Sequence, residues 1–200
     1  MTAERTAAAA APVPSDGRMV HMPGDGAMWV MVIGDLIIFG AYFIIFMVYR
    51  AMKPAEFLAS QQHLSITIGV VNTLVLLGSS WFIARGVQCV RGGSVDRALR
   101  LAYLGGLCGV LFLLIKAYEW SSKIAAGYTI GSNDFFMFYY MLTGVHVFHV
   151  GLGLVILGVV VRELRAPRRR RVSMVESGAT YWHMVDLLWV VIFALLYVMR

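Results

Sequence analysis

From residue 27 onward the chain alternates long apolar runs with short polar or basic breaks. Five runs, roughly 27–49, 64–84, 99–120, 135–161 and 179–199, are long enough to cross about 30 Å of hydrocarbon at about 1.5 Å per residue. All five prolines (Pro12, Pro14, Pro23, Pro54 and Pro167) fall outside these runs, so none loses a backbone donor in its interior. The pattern predicts an all-α membrane protein, one bundle of five transmembrane helices spanning residues 22–200. Residues 1–21 are different in character: the alanine run Ala7–Ala11 is cut short by Pro12 and Pro14, too short for a secretory-signal core. They are expected to form a flexible cytoplasmic tail, and MPGDG (Met22–Gly26) a turn that launches the first span. The loops are short and no internal repeat is visible, so no attached soluble domain is expected.

Polar and small residues recur inside the runs at helical spacing. In the fourth span Thr143, His146, His149 or Val150, and Gly153 share a stripe; in the fifth, Glu176, Thr180, His183, and Asp186 or Leu187 do the same. In the second, Ser65, Asn72 and Ser79 recur every seven residues with Gly69 between them, and Gly105 and Gly109 give the third span a small-xxx-small step. Such residues let helix backbones approach and hydrogen-bond across an interface. Packing accounts for all of these stripes without further chemistry.

Composition sharpens the membrane reading. Hydrophobic residues make up 60% of the 200 and charged residues 14%, with mean hydropathy +0.75, against roughly half apolar and a quarter charged in soluble domains. The net charge of +6 is unevenly spread. With the N-terminus inside, twelve of the seventeen Lys and Arg fall on the cytoplasmic side, including the run Arg168, Arg169, Arg170 and Arg171. This is the positive-inside bias, with the C-terminus outside. The arginine run therefore reads as a topology anchor at lipid headgroups and not as a nucleic-acid site. Cys89 and Cys108 have neither disulfide nor metal-motif spacing and read as small packing residues.

Ionisable groups in a span are costly and face a bundle interior or a cavity. Asp35 in the first span, His146 and His149 in the fourth, and His183 and Asp186 in the fifth are of this kind. Residue counting places Asp35, His149, His183 and Asp186 at similar depth, so a single buried acid/imidazole cluster is expected. Lys116 and Glu119, three residues apart, are expected to pair at the outer surface. His146, His149 and His183 would suffice for a small metal or haem site. The first two lie at nearly one level, however, and the chain lacks the histidine pairs at separate depths that two haems need. Five unbroken spans without a repeat argue against a transporter, while a proton path of Asp and His remains open.

The chain resembles subunit III of the haem-copper oxidases over about residues 22–200. TGVHVFHVGLGLVILG (Thr143–Gly158) resembles the family's T-G-x-H-x-x-H-V-x-x-G segment. ESGATYWHMVDLLWVVIFALLY (Glu176–Tyr197) resembles its E-x-x-x-x-Y-W-H-F-V-D-x-x-W ending, with Met184 in place of Phe. NTLVLLGSS (Asn72–Ser80) resembles its N-T-x-x-L-x-S-S helix. The family commonly has seven spans, and this chain is similar to a five-span form lacking the first two. Gly34-Asp35 stands where Ser-Glu is usual, and Lys116 where Gln often precedes the Glu now at Glu119. The opening MPGDGAMWVMVIGDL is similar to the branch found with nitric oxide reductases.

The resemblance implies a bacterial inner-membrane accessory subunit without redox centres. Its partner would be a catalytic haem-copper oxidase subunit in aerobic electron transport or, alternatively, a nitric oxide reductase subunit in denitrification. Haem and copper would sit in that partner, and this chain would hold only phospholipid and no metal. It would support assembly, stability and proton uptake, with Asp35 and Glu119 beside a lipid cleft or aiding proton uptake. His146, His149, His183, Asp186 and Asn72 would form structural polar contacts between helices. A stand-alone haem- or quinone-binding protein, or a proton-conducting bundle, is the more remote alternative.

Overall fold

The computed structural model describes residues 26–166 and 172–199. The expected tail, residues 1–21, and the anchor Arg168–Arg171 lie outside the described residues. Six helices follow in order: α1 (Gly26–Met52), α2 (Pro54–Gln61), α3 (Ile66–Arg91), α4 (Val95–Ala125), α5 (Asp134–Arg165) and α6 (Val172–Phe193), the last continuing as a π-helical turn over Ala194–Val198. Five of them, all but α2, are long and apolar enough to cross a membrane. Each outruns the span expected for it by one to several residues at one or both ends. Helix α3 continues past Arg85 to Arg91, because arginines and Gln88 at a membrane edge keep their polar ends in water while their stems stay with the helix. Gly93 and Gly127, with φ of +75° and +86°, adopt the left-handed backbone that closes α3 and α4.

The short helix α2 was not expected. Pro54 occupies its first turn, where a missing N–H costs nothing, and buried Phe57 packs edge-on between Phe46 of α1 and Phe135 of α5. Asn133 caps α5 by accepting from the Phe136 N–H at 2.9 Å and donates to the Ser60 hydroxyl at 2.7 Å. Lys53 reaches Asp134 at 2.6 Å and Glu56 at 3.7 Å. The hydrogen bond to Asp134 holds the Lys53 ammonium above its ordinary pKa of 10.5. Its contribution is therefore present below pH 10.5 and lost as the pH rises beyond it. Because Lys53 is exposed, Lys53→Met is expected to lower thermal stability only slightly at neutral pH. In about 1 M salt, where the screening length is about 3 Å, the difference between the two melting curves should vanish.

Helices α3 to α6 form the tight part of the bundle, and side-chain-free positions set their spacing. A Cβ on Gly69 would lie 2.8 Å from both Phe193 and Tyr197, one on Gly105 2.6 Å from Ile83, and one on Gly178 2.8 Å from Val160. The indole of Trp182 passes between two helices: a Cβ on Gly109 of α4 would sit 2.6 Å from its ring, and one on Gly153 of α5 2.9 Å. Helix α1 leans on this group through Phe39, edge-on to His149, and Phe46, edge-on to Phe138. Its other faces, with Val30, Ile33, Ile37, Ile44 and Val48, are exposed.

Candidate functional site

Most stripe positions expected to face inward do so: Thr143, His146, Val150 and Gly153 on α5, Gly69, Asn72 and Ser79 on α3, and Glu176 and Asp186 on α6 are buried, whereas Ser65, Thr180 and His183 are half-buried and Leu187 is exposed. The polar groups they carry form separate small sites and not one cluster. At the first site, His149 Nε2 of α5 lies 3.5 Å from Asp35 Oδ1 of α1, the side chains 13% and 20% exposed. His149 Nδ1 faces the Val145 carbonyl at 2.7 Å. A carbonyl only accepts, so Nδ1 carries its proton and Nε2 is the nitrogen turned to the carboxylate. Tyr181 donates to the His149 carbonyl at 3.5 Å. This is the one place where two groups of the expected cluster meet, at the partly exposed edge of the bundle.

His183 and Asp186 do not join that pair. His183 Nδ1 shares a 2.7 Å hydrogen bond with the Ser80 hydroxyl of α3, an interhelical contact of the expected kind. Asp186 corrects the expectation. It is 4% exposed and neither carboxyl oxygen has a hydrogen-bond partner among the described residues. The Ser80 hydroxyl is engaged with His183 instead. Asn72 and His146, both fully buried, are likewise without hydrogen bonds on their side chains. His146 is instead held between rings, edge-on to Phe112 at 5.5 Å and tilted against Trp189 at 5.2 Å. Their contribution is packing.

Other hydrogen bonds that join the helices start from tryptophans, which the sequence reading did not single out; Ser79 and Thr143, which it did, accept them. Trp182 Nε1 donates to Ser79 Oγ at 3.0 Å, which donates to the Gly105 carbonyl at 2.8 Å. Trp189 Nε1 donates to Thr73 Oγ1 at 3.0 Å, which donates to the Gly69 carbonyl at 2.8 Å. Trp120 Nε1 donates to Thr143 Oγ1 at 3.3 Å, which donates to the Tyr139 carbonyl. Each indole spends its only donor on a hydroxyl, and the hydroxyl passes its own proton to a helix backbone. Tryptophans spaced seven apart (Trp182, Trp189) facing hydroxyls in another run were the legible signal.

Lys116 and Glu119 require a second correction. They pair, at 2.8 Å, but both side chains are 1% exposed and lie in the interior and not at the outer surface. Lys116 also donates to Tyr197 at 2.8 Å and Tyr139 at 3.3 Å, so its three protons all have acceptors. Tyr197 in turn donates to Glu119 Oε1 at 2.6 Å. The ammonium sits 4.8, 5.1 and 5.4 Å from the ring centres of Tyr139, Trp189 and Tyr197, near enough for cation–π attraction. Enclosed in this way, Glu119 has no face open to lipid, and the role expected for it beside a cleft does not fit its position.

At the arginine-rich end of the bundle, Arg91 of α3 holds Glu176 of α6 at 2.8 Å. Both cysteines are free thiols in partly buried positions, consistent with packing. Among the described residues no three His, Cys, Asp or Glu side chains converge as a metal site.

Comparison with known proteins places this architecture. The family model described as Cytochrome c oxidase subunit III matches residues 21–200. The chain belongs to that family. Cytochrome c oxidase subunit 3 of Thermostichus vulcanus is 30% identical over 176 residues, 85% of this chain and 84% of the relative. The probable cytochrome c oxidase subunit 3 of Mycobacterium leprae is 30% identical over 175 residues, 86% of this chain and 85% of the relative. A heme-copper oxidase subunit I+III of Aeropyrum pernix is 27% identical over 185 residues, which take up 86% of this chain and 22% of that longer protein. This chain is a multi-pass membrane protein and a subunit III-like component of a haem-copper oxidase. The subunit III motifs Thr143–Gly158 and Glu176–Tyr197 fall on α5 and on α6 with its π turn. None of these relatives favours the nitric oxide reductase alternative.

Proposed function

We propose that this chain is a support subunit without redox centres of its own, held in a bacterial inner membrane against the flank of a catalytic oxidase subunit. That partner carries the haem and copper. The observation that carries this reading is the disposition of the polar groups. Lys116, Glu119 and the indoles of Trp120, Trp182 and Trp189 close on partners within the chain, and among the described residues the only acid/imidazole pair near the bundle surface is Asp35–His149. A bundle built this way is a scaffold with one surface-proximal proton-holding pair. Asp35 and His149 then hold and move a proton, or order phospholipid, at the edge of α1. The relative in which subunits I and III are one polypeptide supports the lateral association. The arginines at the ends of α3, α4 and α5 favour the orientation with the N-terminus inside.

Affinity purification of the tagged chain in mild detergent tests the reading. Mass spectrometry is expected to find a haem-copper catalytic subunit with it, and Asp35→Leu should leave the haem absorbance of that complex unchanged. Recovery of the chain alone, under conditions that keep other respiratory complexes intact, would overturn it. A haem spectrum from the chain by itself would do the same.

A further inference from the structure

Most of the bundle's outward surface suits hydrocarbon. The free faces of α1 carry Val30, Ile33, Ile37, Ile44 and Val48. The groove between α4 and α5 is lined by aliphatic side chains and glycines, with Tyr103 its one hydroxyl. The groove between α3 and α6 is different. It encloses about 230 Å³, and Gln88 and Arg91 of α3 and Glu176, Thr180 and His183 of α6 are among the residues that line it. Arg91 and Glu176 close one end with their ion pair, at the arginine-rich end of the bundle. His183 lies seven residues further along α6, about 10 Å deeper in the span.

Two hydrogen-bonding atoms of this groove are left for something outside the chain. His183 is half-buried, and its Nδ1 is taken by the Ser80 hydroxyl at 2.7 Å, while no hydrogen bond reaches its Nε2 from the described residues. Thr180 has spent its proton on the Glu176 carbonyl, so its oxygen remains an acceptor. Hydrocarbon offers neither group a partner, and a polar atom turned to it is costly. Threonine and histidine at this depth are residues that bond from one membrane helix to another. Exposed apolar side chains continue the same face toward the outer end. Leu187 and Val190 follow His183 by one and two turns on α6, and Leu77 and Trp81 stand at helical spacing from the groove residue Ala84 on α3. A polar strip continued by large apolar side chains is a surface made for a helix.

We propose that the α3–α6 face is where the catalytic oxidase subunit docks, with one of its transmembrane helices lying along the groove and a side chain of that helix hydrogen-bonded to His183 Nε2. This rests on the attachment to a catalytic subunit proposed above and adds the face that makes it. A second copy of this chain fits less well. In one membrane the two copies would be related by an axis along the membrane normal, which sets Arg91 against Arg91 and His183 against His183 at one level.

Photocrosslinking in the native membrane tests the face. Benzoylphenylalanine replaces Leu77 or Leu187 on this side, or Leu107 of α4 or Val155 of α5 on the other, all of them exposed. After irradiation the tagged chain is purified in mild detergent. Crosslinks to the haem-bearing catalytic subunit are expected from Leu77 and Leu187 and not from Leu107 or Val155. Without irradiation, Leu187→Trp should lower the haem absorbance recovered per tagged chain by about tenfold, because the added ring holds the partner helix off. Leu107→Trp should leave it unchanged. His183→Leu, in chains that keep their helical circular dichroism, should lower it several-fold. Crosslinks confined to Leu107 or Val155, or none in a complex that still co-purifies, overturn the proposal while the attachment to a catalytic subunit stands. So does a full haem complement in Leu187→Trp or His183→Leu. A parent chain that brings down no haem-copper subunit overturns both readings together.

Discussion

Replacing Lys116 by methionine is expected to destabilise the bundle by about 3–5 kcal/mol, the cost of leaving a buried charge without its partner. The substitution keeps the volume of the stem but strips Glu119 of its cation and Tyr197 and Tyr139 of a donor. The three rings around the ammonium lose their electrostatic partner as well. The double variant Lys116→Met with Glu119→Leu should recover most of the loss, because an apolar pair needs neither desolvation nor a counter-charge. Unfolding in graded SDS, followed by circular dichroism, measures both. If the single and double variants were equally unstable, the ion pair would not be what holds α4 to the end of α6.

Trp182→Ala should be of similar severity, about 3–5 kcal/mol for truncating a fully enclosed aromatic side chain. Trp182 is 1% exposed, lies between the helix backbones at Gly109 and Gly153, and donates to Ser79. Removing it leaves a cavity shared by four helices. The converse experiment places a side chain where the indole is. Gly109→Leu should prevent close packing of α4 on α6, whereas Gly106→Leu, whose Cβ meets nothing, should keep the stability of the parent. The same SDS titration reads both, and equal stability of the two leucine variants would show that the indole is not confined as described.

The five spans were legible because apolar length is a local property and a membrane rewards it directly. So was the pairing of Lys116 with Glu119, which needs only a three-residue spacing. The depth of that pair was not legible, since its enclosure depends on Tyr139 and Tyr197, 23 and 81 residues away. Charge at a span's end ordinarily means the interface, and here long-range contacts prevailed. Residue counting brought Asp35 to His149 correctly, because depth alone fixes a match between two helices that touch. It failed for His183, which turns to Ser80 of α3, and for Asp186, which meets no partner among the described residues, because rotation about the helix axis is not contained in depth. Helix α2 was missed for its shortness, since eight residues with a proline at the start give almost no periodic signal.

Helix α1 is the least enclosed of the five membrane-crossing helices, α6 being the most, and α1 is also the most apolar of them. Its ring contacts Phe138 and His149 belong to α5, about a hundred residues later in the chain, and α6, which it also meets, comes later still. During synthesis α1 therefore enters the bilayer long before the membrane-crossing helices it will pack against exist. It must persist there as a lone helix, and its apolar surplus has to offset the insertion cost of Asp35, about 2.5–3.5 kcal/mol, until His149 arrives. The sequence of α1 is thus shaped as much by that waiting period as by the finished bundle.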